Sequence, residues 1–240
     1  MTHIDAKGLD HAVLNDSIRQ STKNVEIDNC LGQRFIGAGM SDKTITINGT
    51  PGNALGAYLN GADIVVRGNA QDAVGDTMNE GSITVHGNIG DAAGYAMRGG
   101  KIYVKGNAGS RAGIHMKAYK DKIPVMVIGG KTGSFLGEYQ AGGKIIVLGL
   151  DNSDKPIVSN FPCTGMHGGK MYLRDECENI SFPGQVRARR ADGNDMDEIR
   201  EYINEYCELF GFDADSIINS PFTVITPDTK NPYKQMYVAN

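Results

Sequence analysis

The sequence predicts an all-β protein: a parallel β-helix of about seven coils, each of 19 or more residues, with helical caps at both ends. Three observations carry this reading. A glycine recurs in steps of 19 at Gly49, Gly68, Gly87 and Gly106, and after a five-residue insertion at Gly130 and Gly149. A second glycine follows seven residues later, at Gly56, Gly75, Gly94, Gly113 and Gly137, and Gly37 extends this series backwards. The third is apolar register. Ile45, Ile64, Ile83, Ile102, Met126, Ile145 and Met171 share one slot, and Ile47, Val66, Val85, Val104, Ile128, Val147 and Leu173 stand two residues on.

Spacing of two, rich in β-branched residues and ended by glycine, marks a strand with one buried face. A period of 19 leaves no room for a crossover helix, and a four-stranded propeller blade needs about 40 residues. Successive coils therefore stack at about 4.8 Å, with equivalent side chains above one another. The glycines recur because every coil turns at the same corners, with positive φ or without room for a Cβ.

Taken in order, residues 1–24 form the N-terminal cap, where LDHAVLNDSIRQS (9–21) places Val13, Leu14 and Ile18 at helical spacing. Residues 25–175 form the β-helix, a stack of roughly 30 Å. Its two insertions fall around KAYKDKIP (117–124) and LDNSDKPIV (150–158), both polar and proline-bearing, as loops should be. Residues 176–240 form the C-terminal helix and an extended arm. The helix lies in NDMDEIREYINEYCELFGFD (194–213): Asp195 suits an N-cap, Ile199, Ile203, Tyr206 and Phe210 line one face, and Gly211 ends it. The arm, SPFTVITPDTKNPYKQMYVAN (220–240), would wrap on the body or dock to another chain.

Two polar columns share the register. Asn69, Asn88 and Asn107 each follow a first-series glycine, and read as turn asparagines, a type that tolerates the left-handed conformation and whose amides can stack. Asn53, Asp72, Asp91 and Ser110 form the other. Like-charged neighbours such as Asp72 and Asp91 can raise a pKa for acid–base work, but nothing else catalytic converges on them, so loop capping is the better reading. A slot of Met40, Leu59, Met78, Met97 and Met116 could offer soft-metal thioethers. With no histidine or cysteine in register it reads as core filling.

The totals exclude several classes. In 240 residues there are 32 glycines, about twice the usual share. A net charge of −4 argues against a nucleic-acid binder, and RARR (187–190) sits beside acidic residues, as a solvated face or a contact for an acidic partner would. MTHIDAKGLD lacks a secretory pattern, and no apolar run approaches the roughly 20 residues that span a bilayer. Cys30, Cys163, Cys177 and Cys207 are scattered, with no CxxC pair, as in a reducing cytoplasm.

Local motifs fail. FIGAGMSD (35–42) gives GxGxxD rather than a dinucleotide fingerprint, and GGKTG (129–133) lacks the phosphate-loop glycine because Val125 stands there. The histidines His3, His11, His86, His115 and His167 have no metal-ligand spacing; His167, in GMHGGK (165–170), reads as a turn histidine. No catalytic, cofactor-binding or metal-binding residue is assigned.

The run ITINGTPGNALGAYLNGADIVVRGNAQDAVGDTMNEGSITVHGN (45–88), with GGKIIVLG (142–149) and TGMHGGKMYL (164–173), resembles the C-terminal GXGXG domain of the glutamate synthase large subunit. The likeness covers roughly residues 25–175. It implies a right-handed β-helix and a structural role, bracing a glutaminase-type amidotransferase against an FMN and iron–sulfur synthase in ammonia transfer and glutamate biosynthesis. The chain begins Met1-Thr2 without a nucleophilic cysteine and shows no flavin barrel and no clustered cysteines. Those chemistries would therefore lie on partner subunits, with no activity expected of this chain alone, in a cytoplasmic complex and with a homo-oligomer open. N-methylglutamate synthases divide their parts similarly. The same fold family holds one component of formylmethanofuran dehydrogenase, a molybdenum- or tungsten-dependent enzyme, and the role of that component is the alternative reading. A carbohydrate-active β-helix enzyme working at Asp72 and Asp91 is a third, disfavoured by the lack of tryptophan.

Overall fold

The computed structural model describes residues 1–22, 24–151 and 153–228. Nine strands run parallel and in sequence order: β1 (Thr2–Asp5), β2 (Val25–Leu31), β3 (Thr44–Thr50), β4 (Asn60–Val66), β5 (Glu80–Val85), β6 (Lys101–Val104), β7 (Val125–Ile128), β8 (Ala141–Val147) and β9 (Gly168–Leu173). Passing from each to the next closes one winding, so nine strands make eight windings, one more than the sequence suggested. The additional winding is the first, because β1 lies in parallel register with β2, Thr2 facing Val25 and Asp5 facing Asp28.

Within the stack the sequence register holds residue by residue. Ile45 pairs with Ile64, Ile64 with Ile83 and Ile83 with Ile102, and the column continues through Met126, Ile145 and Met171. All seven are fully buried in one continuous core. A second wall is built of single-residue bridges, Ala70 to Ile89 to Ala108 to Thr132 to Val158. Met40, Leu59, Met78, Met97 and Met116 fill this same core, where a flexible thioether suits an irregular gap.

The glycines divide by cause. The second series, Gly37 to Gly137, has φ between 64° and 73° throughout. In the first series Gly68 and Gly87 instead sit where a Cβ would lie 2.5 Å from the Gly49 carbonyl oxygen and 2.3 Å from the Asn69 Oδ1. One column turns the chain; the other lets windings touch.

Helices form near both expected places. α1 (His11–Gln20), N-capped by Asp10, belongs to the first winding, joining β1 to β2 and burying Leu14 and Ile18 in the common core. Val13 stays 54% exposed, so only part of the expected apolar face is used. The far end is closed by strands. β11 (Thr223–Pro227) pairs antiparallel with β9, and β10 (Val186–Arg190) pairs antiparallel with β11. The single sheet therefore crosses both segment boundaries drawn from the sequence. The first part of the expected arm is β11; residues 229–240 lie outside the described residues.

The expected C-terminal helix is divided into α2 (Gly193–Asp197), α3 (Arg200–Phe210) and α4 (Ala214–Ile218). Asp192 is the N-cap of α2, and Asp195 completes a capping box with it. Gly211 ends α3 at φ 75° as expected. Ile199, Ile203, Tyr206 and Phe210 are buried, but against the flank of the solenoid. They pack on the outward side chains of β6 to β9 and β11: Tyr103, Val125, Val127, Ile146, Tyr172 and Val224.

Candidate functional site

The two polar columns are the first candidates, and both are hydrogen-bonding ladders. Asn69 Oδ1 accepts from the Asn88 backbone N–H at 2.8 Å, Asn88 Oδ1 from Asn107 at 2.8 Å, and Asn107 Oδ1 from Lys131 at 2.6 Å. In the other column Asn53 Oδ1 accepts from Asp72 at 3.3 Å, Asp72 Oδ1 from Asp91 at 2.9 Å, and Asp91 Oδ1 from Ser110 at 2.7 Å. Each side chain thus satisfies the main-chain donor of its equivalent one winding on, which a bare glycine corner would leave to water. Asn69, Asn88 and Asn107 are not among the positive-φ residues, so they act through their side-chain oxygens and not through the left-handed backbone. The amides bond to backbone rather than to each other.

The remaining sequence candidates stay apart. His167 Nδ1 lies 3.0 Å from the Gly165 carbonyl oxygen, inside its own turn. His86 packs edge-on to Phe210, and His115 stacks on Tyr139 with ring centroids 5.2 Å apart. His3 and His11 lie beside Glu26 and Asp10. Among the described residues no group of three or more His, Cys, Asp or Glu is placed to hold a metal ion. No helix is long and apolar enough to cross a membrane. RARR (187–190) is edge strand β10: Arg187 pairs with Asp228, and Arg189 forks onto Asp195 at 2.5 and 3.0 Å.

The polar cluster that sequence reasoning missed holds the helical flank. Lys101 Nζ lies 2.6 Å from Glu205, and the Tyr103 hydroxyl donates to the same carboxylate. Lys170 Nζ lies 2.6 Å from Glu198, which also accepts from the Tyr172 hydroxyl at 3.1 Å. The signal available in the sequence was the loss of alternation. Outward positions of β3 to β5 are polar or mixed (Thr46, Val65, Thr84), whereas β6 to β9 read KIYV, VMVI, IIV and MYL. Continuous apolar runs belong to strands covered on both faces.

Burial pushes the carboxyls of Asp195, Glu198 and Glu205 up. It is the largest single influence, but the hydrogen bonds and positive charges around each group, led by Arg189, Lys170 and Lys101 respectively, together outweigh it, and all three sit below their ordinary values. Carboxylates whose pKa is depressed by folding stabilise above the unfolded value and lose that stabilisation as pH falls through the folded value. The helical flank is therefore expected to loosen in acid, at or below about pH 4. Hydrogen exchange at 200–210, corrected for intrinsic rates, should accelerate at least about tenfold there; unchanged protection at pH 3 would refute this clamp.

These features define a parallel β-solenoid whose polar columns are committed to joining its windings and whose flank is sealed by one helical layer. The chain belongs to the GXGXG motif family, whose profile matches residues 11–228. It is 41% identical to the uncharacterized protein MJ1350 of Methanocaldococcus jannaschii, over 98% of this chain and 95% of that one. Among solved structures it shares its fold with a chain of the formyltransferase/hydrolase complex FhcABCD from Methylorubrum extorquens, determined with methylofuran. The TM-score is 0.64 at 16% identity, covering 92% of this chain and 89% of that one.

Proposed function

We propose that the chain is a structural subunit of a larger enzyme complex, holding catalytic partners at fixed separation. The carrying observation is the pair of ladders: their polar side chains, including Asp72 and Asp91, are engaged in joining windings. A body whose every layer is bonded to the next makes a stiff support.

Two partner sets follow from different observations. The fold shared along nearly the whole chain with part of a formyltransferase/hydrolase complex supports the alternative reading, a component of a formylmethanofuran dehydrogenase. Membership of the GXGXG family, and the motifs at 45–88, support the glutamate synthase reading. There a glutaminase-type partner would pass ammonia to a synthase partner with FMN and an iron–sulfur cluster, and enclosure matters because ammonia escaping to water is diluted and protonated.

Purification of the untagged complex from its native cells separates them. A copurifying protein with a molybdenum- or tungsten-pterin supports the first reading, and a yellow-brown flavin and iron–sulfur protein with a glutaminase supports the second. The isolated chain is expected to be colourless and inactive. A bound flavin spectrum or unaided glutamine hydrolysis by this chain would overturn the structural role.

A further inference from the structure

Between the last long loop, at 155–164, and the connection from β9 to β10, at 179–183, lies a cavity of about 570 Å³. That volume falls within the range of small-molecule sites, about 300–1,000 Å³. Its apolar walls are Val158, Phe161, Pro162, Ile180, Phe182 and Pro183. Phe161 is 63% exposed and is, among the described residues, the last ring of a stack on the outer corner. Arg111 Cζ lies 5.0 Å from the Phe135 ring centroid, and the Phe135 and Phe161 centroids lie 5.3 Å apart. An exposed ring at the end of such a stack suits another flat apolar group.

The charge of the wall has one sign. Lys131 and Lys155 are its charged residues, and no carboxylate lies among the described residues that line it. Lys131 is committed: its ammonium lies 3.1 Å from Asp151 and 2.9 Å from Ser153 Oγ, and it donates to the Ser153 and Lys155 carbonyls. It thereby fixes the loop that carries Lys155, whose own ammonium has no ion pair among the described residues. The acids of this region, Asp151, Asp154, Asp175, Glu176 and Glu178, line a second cavity of about 670 Å³, and the two lysines stand in the wall common to both. Asn160, Asn179 and Ser181 line the first cavity and make no side-chain hydrogen bond among the described residues. Thr132 is in the same wall. It follows Ala70, Ile89 and Ala108 in a bridge column that is otherwise apolar, is 6% exposed, and its Oγ1 has no partner. A buried hydroxyl without a partner is uncommon and costs stability.

We propose that this cavity binds a small aromatic acid, a flat apolar body carrying one carboxylate or sulfonate. The rings lie against Phe161 and Phe182, the anion faces the Lys155 ammonium, and an acid oxygen accepts from the Thr132 hydroxyl. Each part of such a ligand answers a group the protein leaves open. The apolar walls cover the rings, the uncommitted lysine gives a charge-assisted hydrogen bond, and the orphaned hydroxyl gains its partner. A neutral hydrocarbon would leave that hydroxyl unpaired, and a cation would meet two like charges. The site stands whichever complex the chain serves.

Fluorescence and calorimetric titration of the full-length protein with anilinonaphthalene sulfonate should show one saturable site per chain. Phenylnaphthylamine, the same rings without the anion, should bind at least about tenfold more weakly. Lys155→Gln should weaken the sulfonate at least about tenfold and leave the neutral compound unchanged. Phe161→Ala, on an exposed corner, should weaken both at least about tenfold. Thr132→Val keeps the shape and should weaken the sulfonate at least about threefold. Phe35→Ala, an exposed left-handed phenylalanine near the other end of the stack, should bind as the parent does. Several weak sites in place of one, equal binding of the neutral compound, an equal loss in Phe35→Ala, or parental affinity in a folded Lys155→Gln, Phe161→Ala or Thr132→Val variant would each overturn the site. The structural role would be untouched, since that is read from copurification.

Discussion

Gly81→Ala is expected to remove most of the stability of the solenoid. Gly81 sits at φ 94°, and a Cβ there would lie 2.1 Å from the Ala62 carbonyl oxygen and 3.0 Å from the Gly61 carbonyl carbon. Both obstacles are backbone of the neighbouring winding, at a register shift between Asn60 and Asp63, with β4 paired to β3 and β5 from Asp63 onward. A flexible side chain could swing away; main chain anchored by the pairs that flank it yields far less. Strain of about 1–3 kcal/mol for the unfavourable φ adds to the cost of parting two strands, so a loss of about 4 kcal/mol or more is expected. Gly8→Ala is the control: its φ is 73°, yet nothing lies within 4 Å of the added carbon. It should lose only the left-handed penalty, about 1 kcal/mol. Guanidinium unfolding of both variants reads the difference directly, and equal midpoints would show that windings slide past one another.

Ile83→Ala should lose about 4 kcal/mol, and Ile83→Val about 1 kcal/mol. Ile83 is fully buried between Ile64 and Ile102 in strict register. The surroundings cannot collapse into the space it leaves. Its Cδ1 fills the ground over Gly56, where a Cβ would come within 2.6 Å, and a glycine has no side chain to offer in return. The void therefore persists, and a persistent void places the loss toward the upper end of the range for such truncations. Because each winding touches only its neighbours, the damage is local, and unfolding is expected to split into two transitions on either side of β5. A single transition with a loss below about 1 kcal/mol for Ile83→Ala would mean that the column is not a rigid core.

How much of this was legible in the sequence depends on what the period could carry. Ile64, Ile83 and Ile102 repeat in type and spacing, so their superposition followed from counting, as did the corners at Gly56, Gly75 and Gly94. β1 was not readable because THID is four residues with no repeat glycine in register. The reversal of β11 was not readable because an apolar run such as TVITP carries no mark of its direction. α3 was found as a helix and given the wrong seat. Its apolar face matched an end or a flank equally well, and only the doubled hydrophobicity of VMVI and IIV told them apart. The ladder residues were identified, yet their partners lie one winding away in space and 19 residues away in sequence, so the acceptor role of Asp72 and Asn88 needed coordinates. The place of Cys163 needed them most: it falls in the glycine column only after a 26-residue step from Gly137 that no period announces.

The antiparallel closure by β11 and β10 also fixes a dimension. Only one wall of the stack continues into that pair, and its outermost strand carries Arg187 and Arg189, paired with Asp228 and Asp195, and Arg190. An edge strand that carries long charged side chains is poorly suited to pairing with another chain, so end-on addition at that face is disfavoured. The described windings thus make a ruler of eight graduations of about 4.8 Å, close to 40 Å from first mark to last. Lengthening or shortening it is possible only in whole marks, and anything bolted to its two extremities inherits that quantised distance.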